Sequence, residues 1–307
     1  MSSIFRSTEH SDVARQPWNA HDLVFVAGMH RSGTTLVADM IGTSPHGSGL
    51  TGTGVAMDEG QHLQSVYIGG RGQVDRWAHM PEAHLTEAHA GADTARRLWS
   101  AWAPYWDLRK RMLVEKSPPN LTKARFLQSA FPGAKFVVLT RHPVVQSLAI
   151  RKWAKPGTGR FGFHWPRLVE HWLHAHDIFQ ADAGRLANVL VLRYEHLMRS
   201  PEHEIERLRS FLGAPIETGP IESGRSNEYQ RVWAGLARQH FFRAGLRLFS
   251  GDEVRRSHGR QALLRDMVDK VMMPRQRGAI EERFGARVRE HGYDLATLDD
   301  AEAWNSP

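Results

Sequence analysis

Four short apolar runs punctuate the chain, at Leu23–Ala27, Arg111–Glu115, Phe136–Leu139 and Val189–Leu192. Each is brief, rich in β-branched or aromatic side chains, and stops at a polar or glycine-bearing turn. That pattern predicts strands buried on both faces. Between the runs the apolar spacing becomes helical. Helices are predicted from Thr34 or Thr35 onward, from near Glu59 with Leu63 and Val66 turned inward, and over most of 82–108 with a break at Pro104. Others are predicted over 121–130, from His142-Pro143 through Trp153, over 166–181, and over 201–212 where Gly213 closes the turn. A Gly/Pro loop is expected at 154–164. The segment 214–260 is arginine-rich and less regular, and two final helices are expected at about 261–272 and 279–290. Short strands alternating with helices predict a parallel sheet covered on both faces. Such sheets bind ligands beyond the carboxyl ends of their strands.

The first strand runs into the loop Gly28-Met-His-Arg-Ser-Gly33-Thr34-Thr35, which has the spacing of a Walker A phosphate loop. Thr34 stands where that motif has its lysine, and Arg31 supplies a cation two residues before the second glycine. A strand, loop and helix start in this order offer backbone N–H groups and a helix N-terminus to an anion. The expected fold is a P-loop NTPase-like three-layer α/β/α arrangement around a central parallel sheet. The expected ligand is a phosphorylated nucleotide, without the lysine that ATP hydrolysis uses. Three other strands end in Lys116, Arg141 and Arg193-Tyr194, so four basic positions converge on one sheet edge.

Charge and composition narrow the partners. The chain has 307 residues, a formal net charge of +7 and no cysteine, and 33 of its 40 basic residues are arginine. Disulfides, thiolate nucleophiles and cysteine-ligated zinc are excluded. Arginine forks match phosphate and sulfate oxygens in pairs. The sequence has no helix-turn-helix signature, no zinc finger and no basic run of five or more, so nucleic acid is not the expected partner. No run of signal-peptide or membrane-spanning character is present, and the expectation is a soluble cytoplasmic protein without a transmembrane segment. A flexible arm at 1–20, a single domain at 21–295 and a polar tail at 296–307 are expected. Sequence leaves the oligomeric state open.

Together these elements resemble the sulfotransferases that use 3′-phosphoadenosine 5′-phosphosulfate (PAPS), over roughly 22–215 with an echo in His291–Asp294. The elements are the basic-Ser-Gly-Thr-Thr loop at Arg31–Thr35, the strand followed by Arg141-His142-Pro143, the Lys116-Ser-Pro turn and the Arg193-Tyr194-Glu-x-Leu strand end. The resemblance is to the bacterial and the tyrosylprotein and glycan branches. It implies that His30, Arg31, Ser32, Gly33, Thr34 and Thr35 hold the 5′-phosphosulfate, that Arg141 pairs with the 3′-phosphate and that Tyr194 lines the nucleotide pocket. Lys116 would stabilise the leaving group alongside Arg31. Glu59, in Asp58-Glu59 behind the glycine-rich stretch 42–60, would be the general base, with His30 and His62 as competitors. The product would be 3′-phosphoadenosine 5′-phosphate, no metal is expected, and the acceptor would be a hydroxyl on a glycan, glycolipid or other small molecule. The family serine eight residues after the 3′-phosphate arginine falls on Ala149 here, and Ser147 is assigned in its place.

Other readings compete with this one. A small-molecule or nucleotide kinase would share the loop but needs Mg²⁺–ATP, against which Thr34 argues. A basic nucleic-acid-binding module is the non-enzymatic alternative. The histidines His164, His171, His174 and His176 invite a metal reading, but the helical pattern places His176 off the shared face, which favours a solvated helix face. The tryptophans Trp99, Trp102, Trp106, Trp153 and Trp165 are expected mostly in the core. The segments 42–60, 67–80 and 154–165 are expected to shape the acceptor pocket.

Overall fold

The computed structural model describes residues 16–68, 74–151, 165–217 and 273–295. They fall into two compact units. One comprises the chain up to Arg141 with His174–Ile221, and the other comprises His142–Leu173 with Glu222–Ser306.

The first unit is a five-stranded, wholly parallel sheet. Its strands are β1 (Asp22–Gly28), β2 (Gly47–Gly49), β3 (Met112–Lys116), β4 (Lys135–Thr140) and β5 (Val189–Arg193), in spatial order β2-β3-β1-β4-β5. The four expected strands are all present. β2, a Gly-Ser-Gly stretch with no strand propensity, is an addition that pairs in register with β3 from Gly47↔Met112 to Gly49↔Val114. The order of strand addition reverses beside β1, with β3 on one side and β4 on the other, so the loop after β1 sits at a topological switch point.

Alternation along the central strands sends side chains to two covers. Val24, Val26, Val137, Leu139 and Leu192 share one core with α1 (Thr34–Gly42) and with Ile205, Leu208 and Leu212 further along the chain. The opposite face carries Phe25, whose ring lies 5.9 Å from Trp102 of α2 (Thr94–Trp102) and 6.0 Å from Phe131 after α3 (Ala124–Ala130). Helices on both faces of a parallel sheet make the three-layer α/β/α fold that the alternation of elements predicts. The expected core tryptophans Trp99, Trp102, Trp106 and Trp165 are all buried.

α4 (Pro143–Arg151) lies in the second unit, and α5 (Trp165–Ala183) runs through both. α6 (Tyr194–Arg199) and α7 (Pro201–Leu212) close the first unit, with Gly213 in the left-handed conformation ending α7. α8 (Met273–Glu290) belongs to the second, where Tyr293 packs edge-on against Trp172 and His142. His142 Nε2 bonds the Asp294 carbonyl at 2.8 Å, so the His291–Asp294 motif is joined to the residue that follows Arg141.

Three expectations need correction. No α-helix starts near Glu59. Two short 3₁₀ turns, Ala56–Asp58 and Gly60–His62, stand there, with Met57 and Asp58 at positive φ. Leu63 and Val66 are half-buried. Within 82–108 the α-helix is confined to Thr94–Trp102. The helical histidines do not form a solvated face: His171 and His176 are fully buried, and His174 stacks on His79 at 4.4 Å. The arm at 1–15, the Gly/Pro loop at 154–164, Trp153, His164, the helix at 261–272 and the tail at 296–307 lie outside the described residues. The end of the arm is docked, with Trp18 packed against Trp99 and Phe131. Among the described residues no helix is long and apolar enough to cross a membrane.

Candidate active site

All strands run parallel, so β1, β3, β4 and β5 deliver Gly28, Lys116, Thr140-Arg141 and Arg193-Tyr194 at one edge. Register confirms the alignment: Val26 pairs with Lys116, Gly28 with Leu139 and Thr140 with Arg193.

The phosphate-type loop follows β1. Arg31 takes a left-handed conformation (φ 68°), which costs a non-glycine residue about 1–3 kcal/mol and is tolerated where surrounding contacts enforce it. One such contact is Arg141, whose Nη1 donates to the Arg31 carbonyl at 2.8 Å. Gly33, at φ 103°, caps α1 without any side-chain cap bond. A Cβ built on it would lie 2.5 Å from Cδ2 of Tyr194, so the loop backbone meets that ring directly. The Arg141 guanidinium carbon lies 4.0 Å from the centre of the same ring, within cation–π range. Loop, β4 end and β5 end thus form one contact cluster. Ser32 is buried at 1% exposure, and its hydroxyl has no hydrogen-bond partner among the described residues. Thr34 is buried and Thr35 half-buried in the first turn of α1, whose leading N–H groups lack intrahelical acceptors as in any helix. These features fit an anionic group at the loop: a buried hydroxyl, a helix start without a side-chain cap and a guanidinium behind the loop.

A second cluster centres on Glu59 and Lys116, 7% and 8% exposed. Lys116 Nζ lies 3.0 Å from Glu59 Oε1 and donates to the Met57 carbonyl at 3.2 Å. Glu59 Oε2 accepts from Gln61 Nε2 at 2.5 Å and lies 3.7 Å from His62 Nε2. The neighbouring Asp58 is engaged elsewhere. Its Oδ1 accepts from the Thr53 amide at 3.0 Å and from the Thr53 hydroxyl, and those bonds hold its carboxyl below the usual range. Of the Asp58-Glu59 pair, Glu59 is the carboxylate that meets the sheet edge.

His30 links the clusters. Its Nδ1 is buried, and burial lowers its pKa to about 4, with Glu59, Lys116 and His62 near enough to act on it electrostatically. Such an imidazole is neutral at physiological pH and a weak proton acceptor compared with one near its ordinary value. Its ring lies 6.4 Å from Trp77, within the segment 67–80.

Reading the sequence for chemistry passes over Glu115. It occupies a central strand and is 1% exposed, on the face opposite Lys116 because successive strand residues alternate. Its Oε1 accepts from the Gly60 amide at 2.9 Å and from the Ser117 hydroxyl at 2.5 Å, and its Oε2 accepts from Asn120 Nδ2 at 2.5 Å. Ser117 Oγ in turn accepts from the Gln61 amide at 3.0 Å. Burial is the main reason that the Glu115 carboxyl is pushed up to about 7, against the pull of Ser117 and Asn120. An acidic residue inside an apolar strand was the available signal, since a buried charge must be bonded or neutralised.

Ser147 is in α4, in the second unit, where its hydroxyl donates to the Pro143 carbonyl one turn back at 2.6 Å. Ala149 is buried in the same helix. Among the described residues no group of three His, Cys, Asp or Glu side chains could hold a metal ion.

Comparison with known proteins gives the family. The model of the Sulfotransferase family matches residues 23–218, and the chain belongs to that family. Among curated proteins it is similar to protein-tyrosine sulfotransferase A of Caenorhabditis elegans, 25% identical over 200 residues that cover 62% of this chain and 50% of the relative. The protein-tyrosine sulfotransferase of Drosophila melanogaster is 24% identical over 197 residues, 63% of this chain and 38% of the relative. The chain therefore spans half or less of the length of these relatives. Among solved structures it is similar to sulfotransferase STF1 of Mycobacterium tuberculosis H37Rv, with 15% identity, 72% of each chain covered and a TM-score of 0.43. The sulfotransferase domain of the Synechococcus PCC 7002 olefin synthase has 17% identity, coverage of 70% of this chain and 90% of that one, and a TM-score of 0.43.

Proposed function

We propose that this member of the sulfotransferase family moves a sulfuryl group from PAPS to a hydroxyl acceptor, with Glu59 as general base. The observation that carries the proposal is the convergence of Arg31, Lys116, Arg141 and Tyr194 at parallel strand ends, with the Glu59 carboxylate 3.0 Å from the Lys116 amine.

The donor supplies an activated sulfuryl group on a phosphate leaving group. The chain must bind two anionic ends, take a proton and neutralise developing charge. Ser32, Thr34, Thr35 and the first amides of α1 would hold the 5′ end, with Arg31 and His30 in the same loop. Arg141, stacked on Tyr194, would hold the 3′-phosphate. Glu59 would take the acceptor proton as the acceptor oxygen bonds to sulfur. Lys116 would neutralise the phosphate oxygen as its bond to sulfur breaks. The 3.0 Å contact places a carboxyl and an amine side by side at the same edge, which suits one to accept a proton and the other to meet an anion.

Trp77, packed near His30, supports an acceptor site that borders the loop, in keeping with a role for the segment 67–80. The acceptor class is a hydroxyl on a glycan, a glycolipid or another small molecule. The names of the curated relatives add a tyrosine side chain to the panel worth testing. The decisive assay is transfer of labelled sulfur from PAPS to such a panel by wild type and Glu59→Gln. Transfer by wild type with a loss of about 10²–10⁴-fold in the variant is expected, the range of general-base contributions. Undiminished transfer by Glu59→Gln would remove Glu59 from the base role.

A further inference from the structure

We propose that Glu115 is a positioning residue that clamps the backbone carrying Glu59 across the end of β3. The proposal rests on the reading of Glu59 as base and adds a residue that the reaction itself does not call for.

The geometry is a grip from two sides. Glu115 and Lys116 are consecutive in β3, so their side chains leave opposite faces of the sheet. Lys116 takes the Glu59 side chain through the 3.0 Å ion pair. Glu115 takes the next residue's backbone, accepting the Gly60 N–H at 2.9 Å. Ser117 extends the hold by one residue, accepting the Gln61 N–H while donating to Glu115. From the other side Trp102 Nε1 donates to the Gly60 carbonyl at 3.0 Å. Gly60 thus has both its backbone groups fixed by side chains 42 and 55 residues away. There is no room for a larger residue: a Cβ on Gly60 would lie 2.6 Å from Glu115 Cγ and 2.8 Å from Trp102 Nε1. The two 3₁₀ turns that stand where a helix was expected are held to the end of β3 and the following turn through the Gly60 and Gln61 amides.

A structural role alone does not account for a carboxylate here. An apolar side chain would pack against Phe25 and Trp102 without the cost of burying a charge. It would leave the Gly60 N–H without its acceptor, and the Ser117 hydroxyl that holds the Gln61 N–H without the carboxylate that orients it. Three donors converge on Glu115, and donors to an ionised acceptor make stronger bonds than donors to a neutral one. Burial acts most on its titration, Ser117 and Asn120 on the following turn and Lys116 pull it down, and Glu59 pushes it up, while Glu115 in turn raises the buried Tyr67.

Two variants test this, Glu115→Gln and Ser117→Ala, through amide hydrogen exchange of the peptide covering 56–64, turnover against pH, and affinity for 3′-phosphoadenosine 5′-phosphate. Expected are at least tenfold faster exchange at Gly60 in Glu115→Gln and at Gln61 in Ser117→Ala. The turnover of Glu115→Gln should fall at least tenfold with bisphosphate affinity within threefold of wild type. Wild-type turnover should also decline below about pH 7, and that decline should be absent from Glu115→Gln. Unchanged exchange in both variants overturns the clamp whatever the enzyme does. Faster exchange with undiminished turnover in Glu115→Gln, while Glu59→Gln is inactive, overturns its positioning role. Full activity of Glu59→Gln overturns the base reading instead, and leaves the exchange result to judge the clamp by itself.

Discussion

The Lys116 amine and the Glu59 carboxylate, 57 residues apart in sequence, meet at 3.0 Å in a setting that leaves each less than a tenth exposed. Neither belongs to the glycine loop that first suggests a nucleotide, yet their pairing decides what the loop is next to. A phosphate-type loop alone offers anion binding. With a buried carboxylate and amine at the adjoining strand end, the same edge can also move a proton and neutralise a leaving group.

Lys116→Met removes one half of a buried pair and leaves Glu59 to face the interior without its cation. A loss of stability of about 3–5 kcal/mol is expected, the usual cost of stranding one buried partner. The double variant Lys116→Met/Glu59→Gln should recover part of it. Denaturant midpoints of the three proteins check this, and a double variant no more stable than Lys116→Met would contradict it.

Arg141→Ala should erase discrimination between nucleotides with and without a 3′-phosphate. Charge-assisted hydrogen bonds are worth about 1.5–3 kcal/mol, or roughly 10–150-fold in affinity. Because Arg141 also bonds the Arg31 carbonyl, a smaller general weakening is expected for AMP as well. Titrations with both ligands measure the ratio. Equal losses for the two would move the 3′-phosphate contact to another residue.

Gly33→Ala should collide with the Tyr194 ring and force a side chain into a left-handed backbone. About 1–3 kcal/mol of destabilisation is expected from the backbone alone. Nucleotide affinity should fall with it, since the ring that is pushed away also stacks on Arg141. Thermal midpoint and calorimetry report the two effects separately.

Much of this site is legible in the sequence, and the limits are physical. The loop, Lys116, Arg141 and Tyr194 could be read because local patterns place them: each follows an apolar run that must be a strand, and parallel strands share an edge. Glu59 has no such anchor. A helix was expected there because the residues around it carry a helical apolar spacing, whereas the segment is pinned by Glu115, Ser117 and Trp102. Those contacts span 42 to 56 residues and leave no trace in local periodicity. β2 is invisible for a related reason. Gly47-Ser-Gly49 has no strand propensity and pairs because β3 offers an edge. His171 and His176 are polar by residue type and buried by tertiary packing, which no helical wheel records.

The raised pKa of Glu115 carries a stability consequence with a definite sign. Its carboxyl titrates near 7 in the fold against 4.5 for the ordinary value, so the folded state holds the extra proton between those limits. That contribution to stability is fully present below about pH 4.5 and is lost as pH rises through about 7. Glu115→Gln cannot ionise, so its thermal midpoint should gain on wild type between pH 5 and pH 8. His30, lowered to about 4, works the other way, costing stability as pH falls below 6.5, but it is common to both proteins and cancels in the difference. A gap that does not vary with pH would mean that Glu115 is already ionised throughout.

The most direct test of the account is calorimetric titration of the purified chain with 3′-phosphoadenosine 5′-phosphate, in parallel with AMP and with ATP and Mg²⁺. Saturable one-to-one binding of the bisphosphate, needing no added metal ion and at least tenfold tighter than either competitor, is the predicted result. No binding of the bisphosphate, or a preference for ATP with Mg²⁺, would contradict the assignment of this edge as a PAPS site.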